Sequence, residues 1–471
     1  MKTNQFKRVF KHGSGYIFVS LLTKATGLLL LPIITRYLSL EEYGLYTNIQ
    51  SAQSVMYLFA TLSLDAAYGR FIYDYNSSSK RLRLLTSSIF TVFILWNLIY
   101  LVLSGVAVYY LINTWGYQEL LISLLLPLIT LFQQFIALNT SLMQSRHQTK
   151  KLLYITTTSF FVTQSIMLTL LLVFDMGITS FFIAQFFVSS VVMTIHINMM
   201  KKEGLLKLLI FKKHTFKKVF KYALGYIPAS FSGWIFLLSD RYIITYYFSL
   251  AVVAKYSFLV QLTAIMQVIM QSIDTAYGPI FMNLMKCKSQ ESLEKIKSYF
   301  TVITYLLLLI YLCMVLFLPF IIEAFFPKKL HGDYLIISVL SMGFVFLAIR
   351  KMFGNVLVYY KKTFWISISG YVPAVVNLGL NFIFIPLYGI YAAAWSTLVS
   401  FFIYGVIVFI MAQKLQRFIF NYMQITFLFL LAIVLSFISL YNSSLLVNLM
   451  LLGLFLIAGL FLNIFKLAKD N

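Results

Sequence analysis

Along this chain apolar residues run in blocks of about twenty or more, with short polar connectors between them. Such blocks predict helices, because a strand that crosses a bilayer needs only about ten residues and alternates apolar with polar positions. A helix also satisfies every backbone N–H and C=O within itself, which hydrocarbon demands. The pattern gives fourteen spans, of which the first six are 16–38, 45–72, 84–111, 119–143, 152–174 and 177–199. The next six are 225–248, 256–283, 299–325, 334–358, 364–386 and 389–412, and the last two are 419–441 and 445–465. The expected class is an all-α integral membrane protein.

Composition agrees. Of 471 residues, 61% are apolar and only 11% charged, at a mean hydropathy of +0.88. A soluble domain carries about 25% charged residues. The net charge of +23 looks like a nucleic-acid footprint only until the charges are located. Of the 37 Lys and Arg residues, 28 lie in the N-terminus, the even-numbered connectors and the C-terminus, and only Lys255, Lys328 and Lys329 lie in the odd-numbered ones. By the positive-inside rule both termini face the cytoplasm, and the basic clusters meet anionic headgroups of membrane lipids rather than nucleic acid. The first span is too long for a cleavable signal core and lacks a small-residue cleavage site.

The chain also repeats itself. Phe6-Lys7-Arg8-Val9-Phe10-Lys11 returns as Phe216-Lys217-Lys218-Val219-Phe220-Lys221, and Gly15-Tyr16-Ile17 as Gly225-Tyr226-Ile227. At the same offset Ile33-Ile34-Thr35, Tyr37 and Ser39-Leu40 match Ile243-Ile244-Thr245, Tyr247 and Ser249-Leu250. With one residue of slip, Ser63-Leu64-Asp65-Ala66-Ala67-Tyr68-Gly69 matches Ser272-Ile273-Asp274-Thr275-Ala276-Tyr277-Gly278. Six spans separate the copies, so both enter from the same side and the repeat is parallel. The expected organisation is an N-terminal lobe at 1–199, a basic cytoplasmic linker at 200–222, a C-terminal lobe at 223–413, and two extra helices with a tail at 414–471.

A charged side chain at mid-bilayer costs roughly 2.5–3.5 kcal/mol on insertion scales, so those that persist usually face a cavity. The candidates are the cations Lys24, Arg70, Arg241, Arg350 and Lys351 and the acids Asp65, Asp240 and Asp274. If they line one chamber its interior is net positive, which suits an anionic substrate, with the acids orienting the bases or holding a coupling cation. The competing reading is ion pairs that merely lock the bundle, and for Asp65 and Asp274 the two stand level. Asp240 and Arg241 are neighbours and leave the helix on different sides, so they do not simply neutralise each other. Arg36, near a span end, is expected to snorkel, an option that stays open for Arg70. Pro32, Pro228, Pro279, Pro373 and Pro386, with Gly27, Gly233 and Gly370, are expected to interrupt helices and give hinges.

No phosphate-cradling GxxxxGK[ST] loop, HExxH or GxSxG occurs. The five histidines are scattered without metal spacing, and headgroup contact or snorkelling is the reading for each, including His196 near a span end. Cys287 and Cys313 form no disulfide or metal framework. No cofactor is expected, no metal site and no enzymatic centre. Energy must come from an ion gradient, the membrane potential or the substrate gradient.

Several motifs resemble a known group. The segment from Phe10 to Tyr46, with Leu31-Pro32-Ile33-Ile34-Thr35-Arg36-Tyr37-Leu38 and Glu42-Tyr43-Gly44-Leu45-Tyr46, resembles the start of Wzx-type polysaccharide flippases. Asp240-Arg241-Tyr242-Ile243-Ile244 resembles the Asp-Arg signature of their seventh helix. Lys361-Lys362-Thr363, Asn377 to Asn381, and Ile385-Pro386-Leu387-Tyr388-Gly389-Ile390 followed by Ala392-Ala393-Ala394 resemble their eleventh and twelfth. Tyr391 departs from the pattern, standing where the family usually has Gly.

The resemblance implies the multidrug/oligosaccharidyl-lipid/polysaccharide (MOP) superfamily, two six-helix lobes, and flipping of an undecaprenyl-diphosphate-linked oligosaccharide across a bacterial cytoplasmic membrane. A proton or sodium ion for coupling and a polysaccharide polymerase as neighbour belong to the same expectation. The competing functions are a cation-coupled MATE-like drug exporter and a membrane-embedded polymerase or glycosyltransferase. The first expects a cavity dominated by acids and aromatics. The second needs a longer catalytic connector than any present.

Overall fold

The structure, a computed structural model, describes residues 19, 22–75, 79–117, 120–146, 148–206, 211–287, 289–441, 444–462 and 464. Phe6–Lys11 and Gly15–Ile17 of the first repeat copy lie outside these, as do His12 and His147. Among the described residues there is no strand, and the all-α membrane class is borne out. Among the described residues sixteen α-helices cover the fourteen expected spans. Helix α1 (22–37) is followed by α2 (Leu40–Thr61), α3 (Leu64–Tyr75), α4 (Ser79–Thr114), α5 (Leu120–Ser145), α6 (Thr149–Leu172) and α7 (Thr179–Lys202). Then come α8 (Lys213–Tyr247), α9 (Leu250–Thr263), α10 (Ile265–Cys287), α11 (Gln290–Phe325), α12 (Leu335–Tyr359), α13 (Thr363–Ser369), α14 (Tyr371–Leu415), α15 (Tyr422–Tyr441) and α16 (Leu445–Phe461). The chain divides into two compact units, Met1–Trp234 and Ile235–Asn471, with α8 continuous through the division.

Helix α4 shows why lipid is the solvent. Leu95, Leu98, Ile99, Val102, Leu103 and Val106 are exposed, while Asn97, Tyr100 and Ser104 on the opposite face are buried. A water-soluble helix does the reverse. The buried polar groups satisfy one another across helices, since leaving them unpaired in hydrocarbon is costly. Gln134 Nε2 on α5 donates to Asn97 Oδ1 at 2.7 Å, and the hydroxyls of Tyr100 and Thr130 lie 2.8 Å apart.

Nine of the described helices or helical runs are long and apolar enough to cross a membrane, with spans eleven and twelve joined in one of them. Spans one, two, seven and fourteen fall outside that group. The described part of span one is short, span two is split into α2 and α3, and α16 has 17 residues. The first turns of α8 are strongly basic.

The repeat is visible in local geometry. Ser39 caps α2 in a reciprocal box with Glu42, and its repeat counterpart Ser249 caps α9 by accepting from the Val252 N–H. Span two breaks at Leu62 and Ser63, both with left-handed φ, and span eight breaks at Ala264. Neither break is at Pro or Gly. The expected interruptions at Gly27, Pro32, Pro228, Gly233 and Pro279 do not occur, since helix runs through all five. A single Pro forfeits one ladder bond, which a membrane helix tolerates. Pro373 sits in the first turn of α14, where no N–H donor is missed. Gly370 does separate α13 from α14, and span eleven ends three residues beyond Pro386 at Gly389, whose φ of 60° reverses the chain.

Several helices outrun their apolar segments at a basic end. Helix α11 begins at Gln290 behind a Ser289 cap, and its first turns carry the pairs Lys295–Glu291 and Lys297–Glu294. The first turns of α8 expose Lys217, Lys218 and Lys221 while burying Val219 and Ala223 in the first unit's core. In the second unit α15 and α16 dock on α11. Tyr311 donates to Ser436, Asn448 to the Leu316 carbonyl, and Tyr305 stacks on Phe455 at 5.1 Å.

Candidate functional site

Of the eight charged candidates, Asp240 alone is buried, at 5% exposure. It sits on α8, where its Oδ2 accepts from the Tyr256 hydroxyl at 2.5 Å and its Oδ1 from the Arg241 N–H at 2.9 Å. The Arg241 side chain leaves on another side, and its Nε donates to Ser257 Oγ at 2.8 Å. Adjacent residues on α8 therefore grip adjacent residues on α9, as the reading of two divergent side chains expects. The pairing holds α8 against α9 and leaves the guanidinium fork of Arg241 half-exposed.

Arg350 and Lys351 on α12 also diverge. Lys351 Nζ forms an ion pair with Asp274 Oδ2 on α10 at 2.9 Å, and Asn355 Nδ2 donates to the other carboxylate oxygen at 3.2 Å. Asp274 and Lys351 line a small cleft with Ile273, Tyr277 and Met352. Arg350 goes elsewhere. Its Nη2 donates to the Tyr404 hydroxyl at 2.7 Å while its Cζ lies 4.2 Å from the Tyr404 ring centroid. That ring is stacked on Phe236 of α8 with centroids 5.8 Å apart and planes at 6°. An aromatic layer thus fixes the guanidinium, whose Nε is buried without a hydrogen-bond partner. The second unit therefore brings Asp274 and Lys351 together and keeps Arg241 and Arg350 on separate partners.

In the first unit Asp65 on α3 accepts from the Tyr57 hydroxyl at 3.0 Å. Arg70 is exposed and pairs with Asp74 at 2.8 Å, one turn along the same helix. Lys24 is exposed on α1. Among the described residues Lys24, Arg241 and Arg350 make no ion pair, whereas Lys351 and Arg70 are each compensated by an acid. The simple tally of three acids against five bases is corrected accordingly: Lys351 belongs to a neutral pair, and Asp74 must be counted beside Arg70.

His196 is a further correction. It does not snorkel but is 1% exposed, with Nδ1 3.2 Å from Asn139 Nδ2, because α5 and α7 pack tightly around it. Sequence reading also missed the partners Tyr57, Tyr256, Ser257, Asn355 and Tyr404, since a Tyr or Asn in an apolar run carries no mark of what it will touch. On α14 the buried Asn381 donates its Nδ2 to Asn377 Oδ1 at 3.2 Å, while Asn377 Nδ2 and Asn381 Oδ1 are buried without a hydrogen-bond partner. Among the described residues no cluster of three His, Cys, Asp or Glu side chains is placed to hold a metal ion.

Comparison with known proteins places the chain. Residues 10–285 match the family model described as polysaccharide biosynthesis protein. A membrane protein of Haemophilus influenzae, described as uncharacterized, is 24% identical over 291 residues, covering 59% of this chain and 66% of its own length, just under two thirds. Among solved structures, the lipid II flippase MurJ in an inward closed conformation aligns with a TM-score of 0.66 at 15% identity, over 92% of this chain and 98% of that one. An inward-facing multidrug resistance MATE family transporter of the MOP superfamily aligns at 0.65 and 13% identity, over 84% and 94%. The fold expected from the resemblance is borne out.

Proposed function

The chain belongs to the polysaccharide biosynthesis protein family, and from that premise we propose that it flips an undecaprenyl-diphosphate-linked oligosaccharide across a bacterial cytoplasmic membrane. The observation that carries the reading is Arg350: a guanidinium inside an apolar span, fixed by Tyr404 and without an acidic partner among the described residues. A cation retained in that setting needs an anion to justify it, and the resident acids are spent on Lys351 and Tyr256. A diphosphate supplies that anion. Guanidinium groups suit it because they bind phosphate oxygens with two parallel N–H donors.

In this reading Arg350 and Arg241 of the C-terminal lobe and Lys24 of the N-terminal lobe receive the diphosphate. The sugars cross with the diphosphate and the polyprenyl tail stays in lipid. Alternating access of the lobes 1–199 and 223–413, joined by the linker 200–222, moves the headgroup, with 414–471 as an appendage. Asp240 is the acid placed to take a coupling proton or sodium ion, and Asp65, Asp274 and Arg70 hold or gate the helices. Both termini lie in the cytoplasm, as the charge count asks, and a polymerase consumes the product outside.

The test is genetic. Lys24→Ala and Arg350→Ala should each abolish surface polysaccharide while the protein stays in the membrane at normal level. Normal polymer in both variants overturns the assignment. Drug sensitivity on deletion, with the glycan intact, selects the cation-coupled exporter instead.

A further inference from the structure

The outer ends of spans eleven and twelve enclose a cleft of about 340 Å3 that the cationic site does not use. Its lining is Leu380, Phe384, Tyr388, Tyr391, Trp395 and Ser396, with smaller contributions from Ala392 and Val399. Leu380 and Val399 line the same cleft because the chain doubles back at Gly389. The size falls within the range of small-ligand pockets. The charge count assigns this end to the outer face of the membrane, since the turn holds no Lys or Arg.

We propose that this aromatic cleft, one of whose lining side chains, Tyr391, is held by Asp333, binds a sugar unit of the transported glycan on its outward side. The proposal rests on the flippase reading and names its glycan subsite. Tyr391 donates to Asp333 Oδ1 at 2.5 Å, tying α14 to the turn before α12 across 58 positions of sequence. A sugar ring offers one face of C–H groups, which stacks on an aromatic plane, and a rim of hydroxyls, which a carboxylate accepts. Phe384, Tyr388 and Trp395 supply planes, with Phe384 and Tyr388 centroids 6.3 Å apart. Tyr388, Tyr391, Ser396 and the Trp395 indole N–H supply the polar atoms of the lining.

No Lys or Arg lines the cleft, so the diphosphate is not its occupant. A polyprenyl tail would leave the polar tips without a role. An interfacial aromatic belt would explain Tyr and Trp at this depth but not their convergence on one concave cleft beside an acid.

The full-length protein in nanodiscs, probed by saturation-transfer NMR with lactose, maltose and chitobiose, decides the matter. At least one disaccharide should bind, and Trp395→Ala should weaken it about ten-fold, the upper value for one aromatic contact. Trp395→Phe, which keeps a ring, should restore most of the binding and guards against misfolding. Tyr391→Phe should change which disaccharide is preferred. Binding of none of the three, or equal binding by Trp395→Ala, overturns the proposal. Deletion of the gene with surface polysaccharide unchanged would instead sink the flippase reading and leave the sugar-binding result standing by itself.

Discussion

The pairing of Asp274 with Lys351 differs in kind from the unpaired state of Arg350, although Lys351 and Arg350 are neighbours in sequence. Lys351 and Asp274 are 31% and 29% exposed, so neither ion is fully desolvated. Removing one partner strands the other. Asp274→Asn should therefore destabilise the protein by on the order of 1–3 kcal/mol, below the range for fully buried pairs. The double variant Asp274→Asn with Lys351→Met should recover most of that loss in a thermal melt of detergent-solubilised protein. A double variant as unstable as the single would show that the pair is not the source of the stability. Arg350 should behave otherwise: Arg350→Met should leave the melt nearly unchanged while removing transport. The charges themselves were legible because each interrupts an apolar run. Their fates were not, since Tyr404 lies 54 residues from Arg350 and only packing decides which of two adjacent cations meets an acid.

Helix identity followed from block length, but the breaks did not. Pro and Gly were the expected interruptions, whereas the breaks in spans two and eight fall at Leu62–Ser63 and Ala264, positions with no compositional mark. The Ser39 and Ser249 caps were present in the repeat as matched letters, and their meaning emerged only with the helices that they start. One close approach was invisible in sequence. A methyl group at Gly459 of α16 would lie 2.4 Å from the Tyr305 ring of α11, which is fully buried. Gly459→Ala should lower stability by about 1–3 kcal/mol, the usual cost of overpacking, and Gly459→Ala with Tyr305→Leu should restore it. An unchanged melting temperature in the single variant would mean that α16 is not docked as described. Glycines with open space around them, such as Gly453 on the same helix, serve as controls.

At the scale of the molecule, the repeat, the charge alternation and the inverted polarity of α4 all describe a chain whose outside is apolar and whose inside is selectively polar. Each of the units Met1–Trp234 and Ile235–Asn471 carries its own buried polar contacts: Asn97 with Gln134 in the first, Tyr311 with Ser338 and Ser436 in the second. The family was readable from short motifs at the start of the chain and around spans seven, eleven and twelve. The cleft lined by Tyr391 was not, because the partner of its hydroxyl, Asp333, lies 58 positions away in sequence. The central claim is that an uncompensated guanidinium inside the membrane handles a lipid-borne diphosphate. Its most direct measurement is flipping of a fluorescent undecaprenyl-diphosphate disaccharide in proteoliposomes, scored by protection from a membrane-impermeant quencher. The wild-type protein should equilibrate the lipid between leaflets and Arg350→Met should not. Equal rates for the two proteins, or no flipping by either, would contradict it.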